Sequence, residues 1–424
     1  LGLTFQGSGN AGSAETSAKS TFKNDEYAGG GVLSEAYLAY TLGKTTAKVG
    51  RQYMATPLVN GSGSRMYKES FEGVFLVNTD LPQTTLLAAY VDRFQGRTSS
   101  VSNFVNVATP TSGTTQGSGY FPSFTANAGT ENGDAPTFEK NAVFTGGAAG
   151  GLVAKFDGAY SAGLINKSIN NLTLTGQYAI VKDVEVPLAA AGGTGKLVDD
   201  IDVYYTEANY VLPVAGFKLG FDANVRGSRT GDNLRDTNLD GTYSAGRISL
   251  SELAGFGMSF AAGKTSKDDA VIAGMGNGPT SYTSTMIRGT STRMLADTDS
   301  YLFQATYDFG KLGITGLTVV AQYGWTKQGD NVENMATGRV ISTDTAKAQS
   351  QTKAGRISEV SSDYTNAAIG LTYAVPAVKG LTTSVQYEIQ ERELNAGDSS
   401  TWNDFKKGAK SDTNELWFKA GYKF

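Results

Sequence analysis

The stretch from Asn414 to Phe424 reads N-E-L-W-F-K-A-G-Y-K-F, and apolar and polar side chains alternate along it. In an extended strand, one side carries Leu416, Phe418, Ala420, Tyr422 and Phe424, and the other carries Glu415, Trp417, Lys419, Gly421 and Lys423. A strand needs this period of two when one face meets lipid and the other meets water. The stretch therefore predicts the last strand of a transmembrane β-barrel.

Other segments repeat this alternation with a polar second face. In residues 217–226, the apolar side is expected to face lipid, and the opposite side carries charged residues that a soluble sandwich would rarely place inside. The same pattern occurs in 171–180, 301–309, 317–325 and 381–389. Each run has about ten residues, which is the length that a tilted strand needs to cross a bilayer.

The composition excludes several classes of protein. Mean hydropathy is -0.24, and no run of about 20 apolar residues is present, so spanning helices are not expected. The chain has neither cysteine nor histidine, which excludes disulfides, Cys- or His-ligated metals and histidine-dependent hydrolysis. The net charge is -4 without a basic cluster, so nucleic acid is not an expected partner. We expect no enzyme and no organic cofactor.

The connections predict the architecture. Strands are predicted near 1–6, 33–42, 45–53, 70–78, 84–95, 150–160, 171–182, 200–212, 216–228, 242–252, 255–264, 299–309, 316–327, 364–375, 380–391 and 412–424. Short links, which would be periplasmic turns, alternate with long links, which would be extracellular loops at 7–32, 54–69, 96–149, 183–199, 229–241, 265–298, 328–363 and 392–411. One link, 161–170, is intermediate in length at a short-link position.

This pattern predicts one all-β domain over 1–424, a closed antiparallel barrel of about 16 strands, because closure satisfies every backbone group in lipid. Leu1 to Gln6 reads like the end of a strand, so a leading hairpin is expected in the intact protein and would bring the barrel to about 18 strands. A barrel of this size leaves a water-filled lumen, which predicts a channel.

The region from Ser34 to Phe94 carries S-E-A-Y-L-A-Y-T-L-G-K-T-T-A-K-V-G-R-Q-Y, T-P-L-V-N, S-R-M-Y-K-E-S-F-E-G-V and Y-V-D-R-F. This region resembles OprD-family outer-membrane porins of Gram-negative bacteria. The resemblance implies an outer-membrane barrel of 18 strands that takes up small hydrophilic solutes passively, often amino acids or carboxylates. It also implies that the third extracellular loop folds inward and narrows the pore, and that arginines line it.

Two loops compete for that constricting position. If a hairpin precedes the chain, the third loop is 54–69; if none does, it is 96–149. The family-like residues favour 54–69, in and around which the candidate constriction residues are Arg51, Asn60, Arg65, Lys68, Glu69 and Glu72. Opposed charges across a narrow opening would create a transverse field that favours dipolar solutes. The alternative is an ordinary surface loop.

Six residues on the inward parity of the predicted strands are candidates for the lumen wall: Lys218, Asp222, Arg226, Gln386, Glu388 and Lys419. Charged residues in a pore wall bias cation against anion passage. The alternative interpretation is that they only keep the wall wet and pair with neighbours, as polar lumen residues do in all such barrels.

The loop residues Asp236, Asn238 and Asp240 start a D-x-N-x-D-G pattern that is typical of calcium loops. Position twelve is Arg247, where the pattern needs a bidentate Glu. A solvated loop is therefore the main interpretation, and calcium is the alternative.

Two functions remain open at this stage. The leading hypothesis is a diffusion porin for ions and small hydrophilic solutes, in contact with membrane lipid and lipopolysaccharide. The alternative is an adhesive or antigenic surface protein, anchored by the barrel, whose long loops 96–149 and 328–363 bind partners. Trimers are common among porins, whereas the resembling family contains monomers, so a homotrimer and a monomer both stay open.

Overall fold

A computed structural model of the chain describes residues 1–8, 30–63, 67–96, 136–146, 152–187, 196–237, 239–287, 293–329, 360–396 and 409–422. These residues form 20 strands of one sheet. The strands are β1 (Gly2–Ser8), β2 (Gly30–Leu42), β3 (Thr45–Gln52), β4 (Ser70–Asn78), β5 (Thr84–Gln95), β6 (Phe138–Glu139), β7 (Asn141–Gly146), β8 (Leu152–Lys155), β9 (Gly158–Asn166), β10 (Leu172–Pro187), β11 (Lys196–Val214), β12 (Phe217–Thr230), β13 (Thr242–Leu253), β14 (Phe256–Thr265), β15 (Ile272–Met275), β16 (Thr298–Asp308), β17 (Leu317–Gln328), β18 (Val360–Ala374), β19 (Leu381–Ala396) and β20 (Ala409–Tyr422).

Sixteen of these strands form the barrel wall, each antiparallel to the next wall strand along the chain, from β1 to β20. The other four, β6, β7, β8 and β15, lie within two of the long links. No helix among the described residues is long and apolar enough to cross a membrane. The predicted all-β barrel, with short and long links in alternation, is confirmed.

One predicted strand was placed wrongly. The prediction put a strand at 150–160 and a link at 161–170, but β9 runs from Gly158 to Asn166 and turns at 167–171. Asn166 forms this turn, because its Oδ1 accepts from the backbone N of Ser168 (3.1 Å). The strand was missed because its small residues Gly, Ala and Ser blur the alternation. The link between β9 and β10 is therefore a short turn, and it no longer departs from the alternation of short and long links.

The two faces of the wall differ as the alternation predicts. On the outside, Phe221 and Val225 of β12 and Phe418 of β20 are exposed. On the inside, Asn224 and Arg226 of β12 are buried, at 4% and 2% exposure. The apolar positions of these strands therefore face outward, where lipid would lie, and the polar positions face inward.

The inner face is not polar along its whole height. Towards the long links, the inward positions of β10 and β11 carry Ala179, Val181, Ile201 and Val203, which are buried in an apolar cluster. The cluster also contains residues from four long links, among them Leu58, Phe144, Leu234 and Met275. Burial of apolar side chains is the main favourable term in folding, so it draws these links into the extracellular end of the barrel.

Candidate functional site

One inward link is the first inner loop, residues 54–69, which joins β3 to β4. Its backbone makes a tight turn in which Thr56 N donates to Val59 O (2.9 Å), and Leu58 and Val59 are almost fully buried. The tip reaches β10, where Gln177 Oε1 accepts from Leu58 N (3.0 Å) and Gln177 Nε2 donates to Thr56 Oγ1 (2.9 Å). A wall strand thus satisfies buried polar groups at the tip of this loop.

A second inward link is the second inner loop, residues 266–297, which joins β14 to β16 and contains β15. Arg226 on β12 donates from Nη1 to Ala273 O (3.3 Å) and from Nη2 to Thr280 O (2.8 Å). On β17, Gln322 Oε1 accepts from Met286 N (2.8 Å). Side chains of separate wall strands therefore hold the backbone of this loop inside the barrel.

The two inner loops are joined to each other by backbone hydrogen bonds. Asn60 N donates to Met275 O (3.1 Å), Met275 N donates to Leu58 O (2.7 Å), and Gly278 N donates to Asn60 O (2.9 Å). Residues 58–60 and 275–278 thus form a short parallel pairing, which we call the joint.

Glycine is required on one side of the joint. Gly276 has φ 86°, and a Cβ there would lie 2.3 Å from Asn60 O. Side chains fasten the same region, since the buried Glu69 carboxylate accepts from Asn277 N (2.8 Å) and from Asn277 Nδ2 (2.5 Å). The joint therefore depends on close backbone approach and on a carboxylate that is fully hydrogen-bonded on both oxygens.

Together, residues 54–60 and 275–287 form a strap inside the barrel. One end is bound to Gln177 on β10, and the other is bound to Glu388 on β19, which accepts from Thr285 Oγ1 (2.6 Å) and from Ile287 N (2.9 Å). Eight strand pairings separate β10 from β19 in a wall of sixteen strands. The strap therefore runs between opposite sides of the wall, across the lumen.

Beside the strap lies a polar group that we call the Arg247 cluster: Glu207 and Asn209 on β11, Asp222 on β12, Arg247 on β13 and Tyr282 on the second inner loop. Arg247 Nε donates to Asp222 Oδ2 (2.8 Å), and its guanidinium lies 4.6 Å from the centre of the Tyr282 ring. Asn209 Nδ2 donates to Asp222 Oδ1 (2.8 Å) and to the Tyr282 hydroxyl (3.2 Å). The Tyr282 hydroxyl donates to Glu207.

The Arg247 cluster exposes the positively charged guanidinium of Arg247 to the lumen. The Arg247 side chain is 38% exposed, whereas that of its partner Asp222 is only 8% exposed. Burial and the hydrogen bond to Glu207 raise the pKa of Tyr282, so its hydroxyl stays protonated. A solute that passes here meets a guanidinium with its carboxylate partner behind it.

The residues predicted for the constriction fall in different places. Asn60 and Glu69 lie at the joint, and Lys68 contributes its backbone carbonyl to Gln6 and Gln95 (3.0 Å each). Arg65 lies outside the described residues. The described parts of 54–69 thus contact the barrel interior at Asn60 and Glu69, while the role of these residues in solute passage stays a prediction.

Arg51 and Glu72 lie elsewhere. They form an ion pair on neighbouring strands (Nε to Oε2, 2.9 Å), and Arg51 stacks 4.4 Å from the centre of the Phe138 ring on β6. Arg51 shares the side of β3 that carries the exposed Val49, whereas Gln52 on the other parity is buried. The structure thus places this pair on the outward side of the wall, under β6.

The candidates of the lumen wall divide into two groups. Asp222, Arg226 and Glu388 contact the second inner loop or the Arg247 cluster, as described above. Of the others, Lys218 pairs with Glu252 beside a short turn (2.6 Å), and Lys419 lies 4.2 Å from the centre of the Trp417 ring. The amide oxygen of Gln386 is buried, and its side chain lies beside Gly370, next to Met286 of the strap.

The possible calcium loop is only partly described, since Asn238 and the side chain of Asp236 lie outside the described residues. Asp240 Oδ1 accepts from Thr230 N (2.5 Å) and Thr230 Oγ1 (2.7 Å). Among the described residues, no group of acidic side chains is arranged to hold a metal ion. The calcium alternative remains a prediction.

Sequence reasoning missed four important side chains: Gln177, Glu207, Arg247 and Tyr282. The inward parity of their strands could have found the first three, because each lies on the polar side of an alternating segment. Tyr282 lies in a link without periodicity, and only its contacts reveal it.

Comparisons with known proteins agree with the barrel fold. Residues 1–126 match the family model described as outer membrane porin, OprD family. Among solved structures, Pseudomonas aeruginosa OccK7 (OpdD) is similar with a TM-score of 0.59 and 13% identity, covering 91% of this chain and 77% of that chain. Pseudomonas aeruginosa OpdK, solved with vanillate, has a TM-score of 0.58 and 15% identity, covering 91% and 78%. No curated protein matches the sequence significantly.

The predicted family resemblance is thus confirmed over residues 1–126, and the solved structures agree with the barrel fold along most of the chain. The family match over residues 1–126 and the barrel fold support a porin of the bacterial outer membrane over a barrel-anchored adhesive protein, and they point to a channel rather than an enzyme. Membrane lipid and small solutes are the partners that this class of protein contacts.

Proposed function

We propose that this outer-membrane porin, whose residues 1–126 match the OprD family, conducts ions and small carboxylates through an opening bounded by the strap and the Arg247 cluster. One observation carries the proposal. The strap joins opposite sides of the wall, from Gln177 to Glu388, and an accessible guanidinium lies beside it. Solutes that cross the lumen would have to pass the strap at this level.

The chemistry of the cluster favours an anionic group on a small solute. A guanidinium binds a carboxylate through parallel hydrogen bonds, and the Nη atoms of Arg247 lie beyond the Nε that bonds to Asp222. The adjacent Tyr282 ring offers an apolar surface. Vanillate, which is an aromatic carboxylate and is present in the OpdK structure, is therefore a reasonable probe for this chain.

Passive diffusion needs no chemical step, so we propose no catalytic residue and no cofactor. The exposed outward residues of the wall, such as Phe260 and Tyr323, support contact with the acyl chains of lipopolysaccharide in the outer leaflet. A homotrimer is a separate proposal, and the native mass of the detergent-solubilised protein would decide between it and a monomer.

The test is single-channel recording in planar bilayers. We expect ohmic steps, and in a salt gradient we expect Arg247→Gln to lower the anion-to-cation permeability ratio severalfold, because the accessible charge is removed and Asp222 remains. Lys218→Gln is the matched control, since Lys218 pairs with Glu252 away from the strap and should change the ratio little.

Two results would contradict the proposal in different ways. A barrel that inserts but passes no current would exclude the porin. Ohmic steps with the same permeability ratio in the wild type and in Arg247→Gln would exclude the role of the Arg247 cluster. Uptake of vanillate by liposomes, compared with an uncharged aromatic of the same size, measures the preference for carboxylates directly.

A further inference from the structure

Glu388 accepts several hydrogen bonds, two of them from the strap. A polar residue that only kept the lumen wall hydrated would not need them. Its side chain is 1% exposed on β19, under the second inner loop. Oε1 accepts from Thr285 Oγ1 (2.6 Å) and from Asn366 Nδ2 on β18 (2.8 Å), while Oε2 accepts from Ile287 N (2.9 Å). At least three donors therefore meet one buried carboxylate, and two of these three belong to the loop.

A cation from the same loop lies close to this carboxylate. Arg293 is also 1% exposed, and its Nη2 donates to Asn366 Oδ1 (3.4 Å), so Asn366 links the loop's guanidinium to the wall's carboxylate. Burying either charge alone would be costly, whereas burying them close together with hydrogen bonds reduces that cost. The two buried charges therefore favour the arrangement in which the loop lies against β18 and β19.

Glu388 contacts the end of the strap. The joint at 58–60 and 275–278 holds the middle, and Arg226 holds the backbone at Ala273 and Thr280. Residues 281–287 then continue to β19, where Thr285 and Ile287 meet Glu388. Loss of these contacts would free the last residues of the strap, while the joint and the Arg226 contacts could remain.

We propose that Glu388 is a positioning residue that sets the aperture of the pore by holding residues 285–287 against the wall. This inference rests on the proposed porin function. Glu388 acts through the loop and not by contact with the solute, because its own side chain is buried. The size limit for solutes should therefore depend on Glu388, whereas the preference for charge should depend on Arg247.

The experiment compares Glu388→Ala, Glu388→Gln and Thr285→Val with the wild type in planar bilayers. We expect Glu388→Ala to raise the conductance about twofold and to add current noise, because the strap end becomes mobile. Glu388→Gln keeps one acceptor oxygen and should fall between Ala and the wild type. Thr285→Val removes the hydroxyl donor to Glu388 and leaves the carboxylate in place, so it should change the conductance least. Glu252→Gln, at an exposed turn, is the matched control.

A change of size limit distinguishes positioning from general destabilisation. Liposome swelling with a series of neutral sugars should show that Glu388→Ala speeds the uptake of the larger sugars more than that of the smaller ones. The anion-to-cation permeability ratio should stay near the wild-type value. Heat-dependent gel migration shows whether each barrel is folded; if Glu388→Ala does not fold, Glu388→Gln combined with Thr285→Val takes its place.

The outcomes separate the two proposals. A wild type without ohmic current overturns the porin function itself. A conducting wild type, with Glu388 variants that fold and keep its conductance, noise and sugar size limit, overturns the positioning role of Glu388 and leaves the porin function intact.

Discussion

The two inner loops meet in one joint, but different forces hold them in the lumen. The first inner loop is stabilised mainly by its own turn at Thr56 and by the burial of Leu58 and Val59 in the apolar cluster. The second inner loop also buries apolar residues, such as Ile272 and Met275, but its end, residues 280–287, is held by side chains that project from the wall, chiefly Arg226 and Glu388.

This difference predicts different responses to mutation. Apolar burial is distributed over many contacts, so a single polar substitution near the first inner loop should leave most of its stabilisation in place. Charged hydrogen bonds to a buried backbone are few and individually strong, about 1.5–3 kcal/mol each. Residues 280–287 of the second inner loop should therefore be displaced more easily than the tip of the first inner loop.

The largest effect is expected from Gly276→Ala, because it acts on both loops at once. The new Cβ would lie 2.3 Å from Asn60 O at φ 86°, so the joint cannot keep its geometry. Strain at such a residue alone costs about 1–3 kcal/mol, and the clash adds to it. We expect a large rise in single-channel conductance.

Gly43→Ala is the control for this variant. Gly43 also has a positive φ, 60°, but a Cβ there has no neighbour within 4 Å. The two variants therefore share the backbone strain and differ in the clash. Equal conductance in Gly276→Ala and Gly43→Ala would show that the joint does not restrict the pore.

Arg226→Met should have the next largest effect, and it acts on the second inner loop. It keeps the apolar stem but removes the donors to Ala273 O and Thr280 O, at a cost of about 2–3 kcal/mol in the stability of the loop. Limited proteolysis should then cleave within 273–287 faster than in the wild type. Arg229→Met, an exposed position on the same strand, should leave the cleavage rate unchanged.

Gln177→Ala is the corresponding change for the first inner loop, and we expect a smaller effect. Leu58 N and Thr56 Oγ1 lose their partner, which costs about 1–3 kcal/mol, while the apolar burial of the tip remains. Hydrogen exchange at 54–60 should become faster without a large change in conductance. If Gln177→Ala opened the pore more than Arg226→Met, the contrast between the loops would be wrong. Thr173→Ala on β10 is the control.

Tyr282→Phe should have the smallest effect, about 0.5–1.5 kcal/mol, because it removes one hydroxyl and keeps the ring against Arg247. Glu207 would lose a donor, so a small shift of the permeability ratio towards cations is expected. Since the pKa of Tyr282 is raised, ionisation of this hydroxyl should not alter the conductance of the wild type below about pH 10. Tyr210→Phe, on the exposed outer face, should leave both readouts unchanged.

Most of the wall could be predicted because its determinants are local. Phe221 and Val225 alternate with Asn224 and Arg226 within one strand, and the structure keeps that alternation. The misplacement of β9 in the prediction also has a local cause. Its small residues weaken the alternation of apolar and polar side chains, which is the only signal that a single strand gives. The family-like region led to the first inner loop, and the structure places its tip inside the barrel.

The strap could not be predicted in the same way, because its contacts join residues that are far apart in the chain. The bond from Leu58 N to Gln177 spans 119 positions, and that from Asn277 to Glu69 spans 208. No periodicity records such pairs. The parity of their strands predicts an inward position for Arg226 and Glu388, but nothing local indicates that they hold a loop.

The sequence by itself determined which side of each strand faces lipid, because a period of two is a property of neighbouring residues in an extended chain. Only the tertiary structure decided which inward side chains meet the lumen, as Arg247 does, and which are buried against a loop, as Glu388 is. That division depends on where the long links fold, and their burial and hydrogen bonds are satisfied by residues from distant strands.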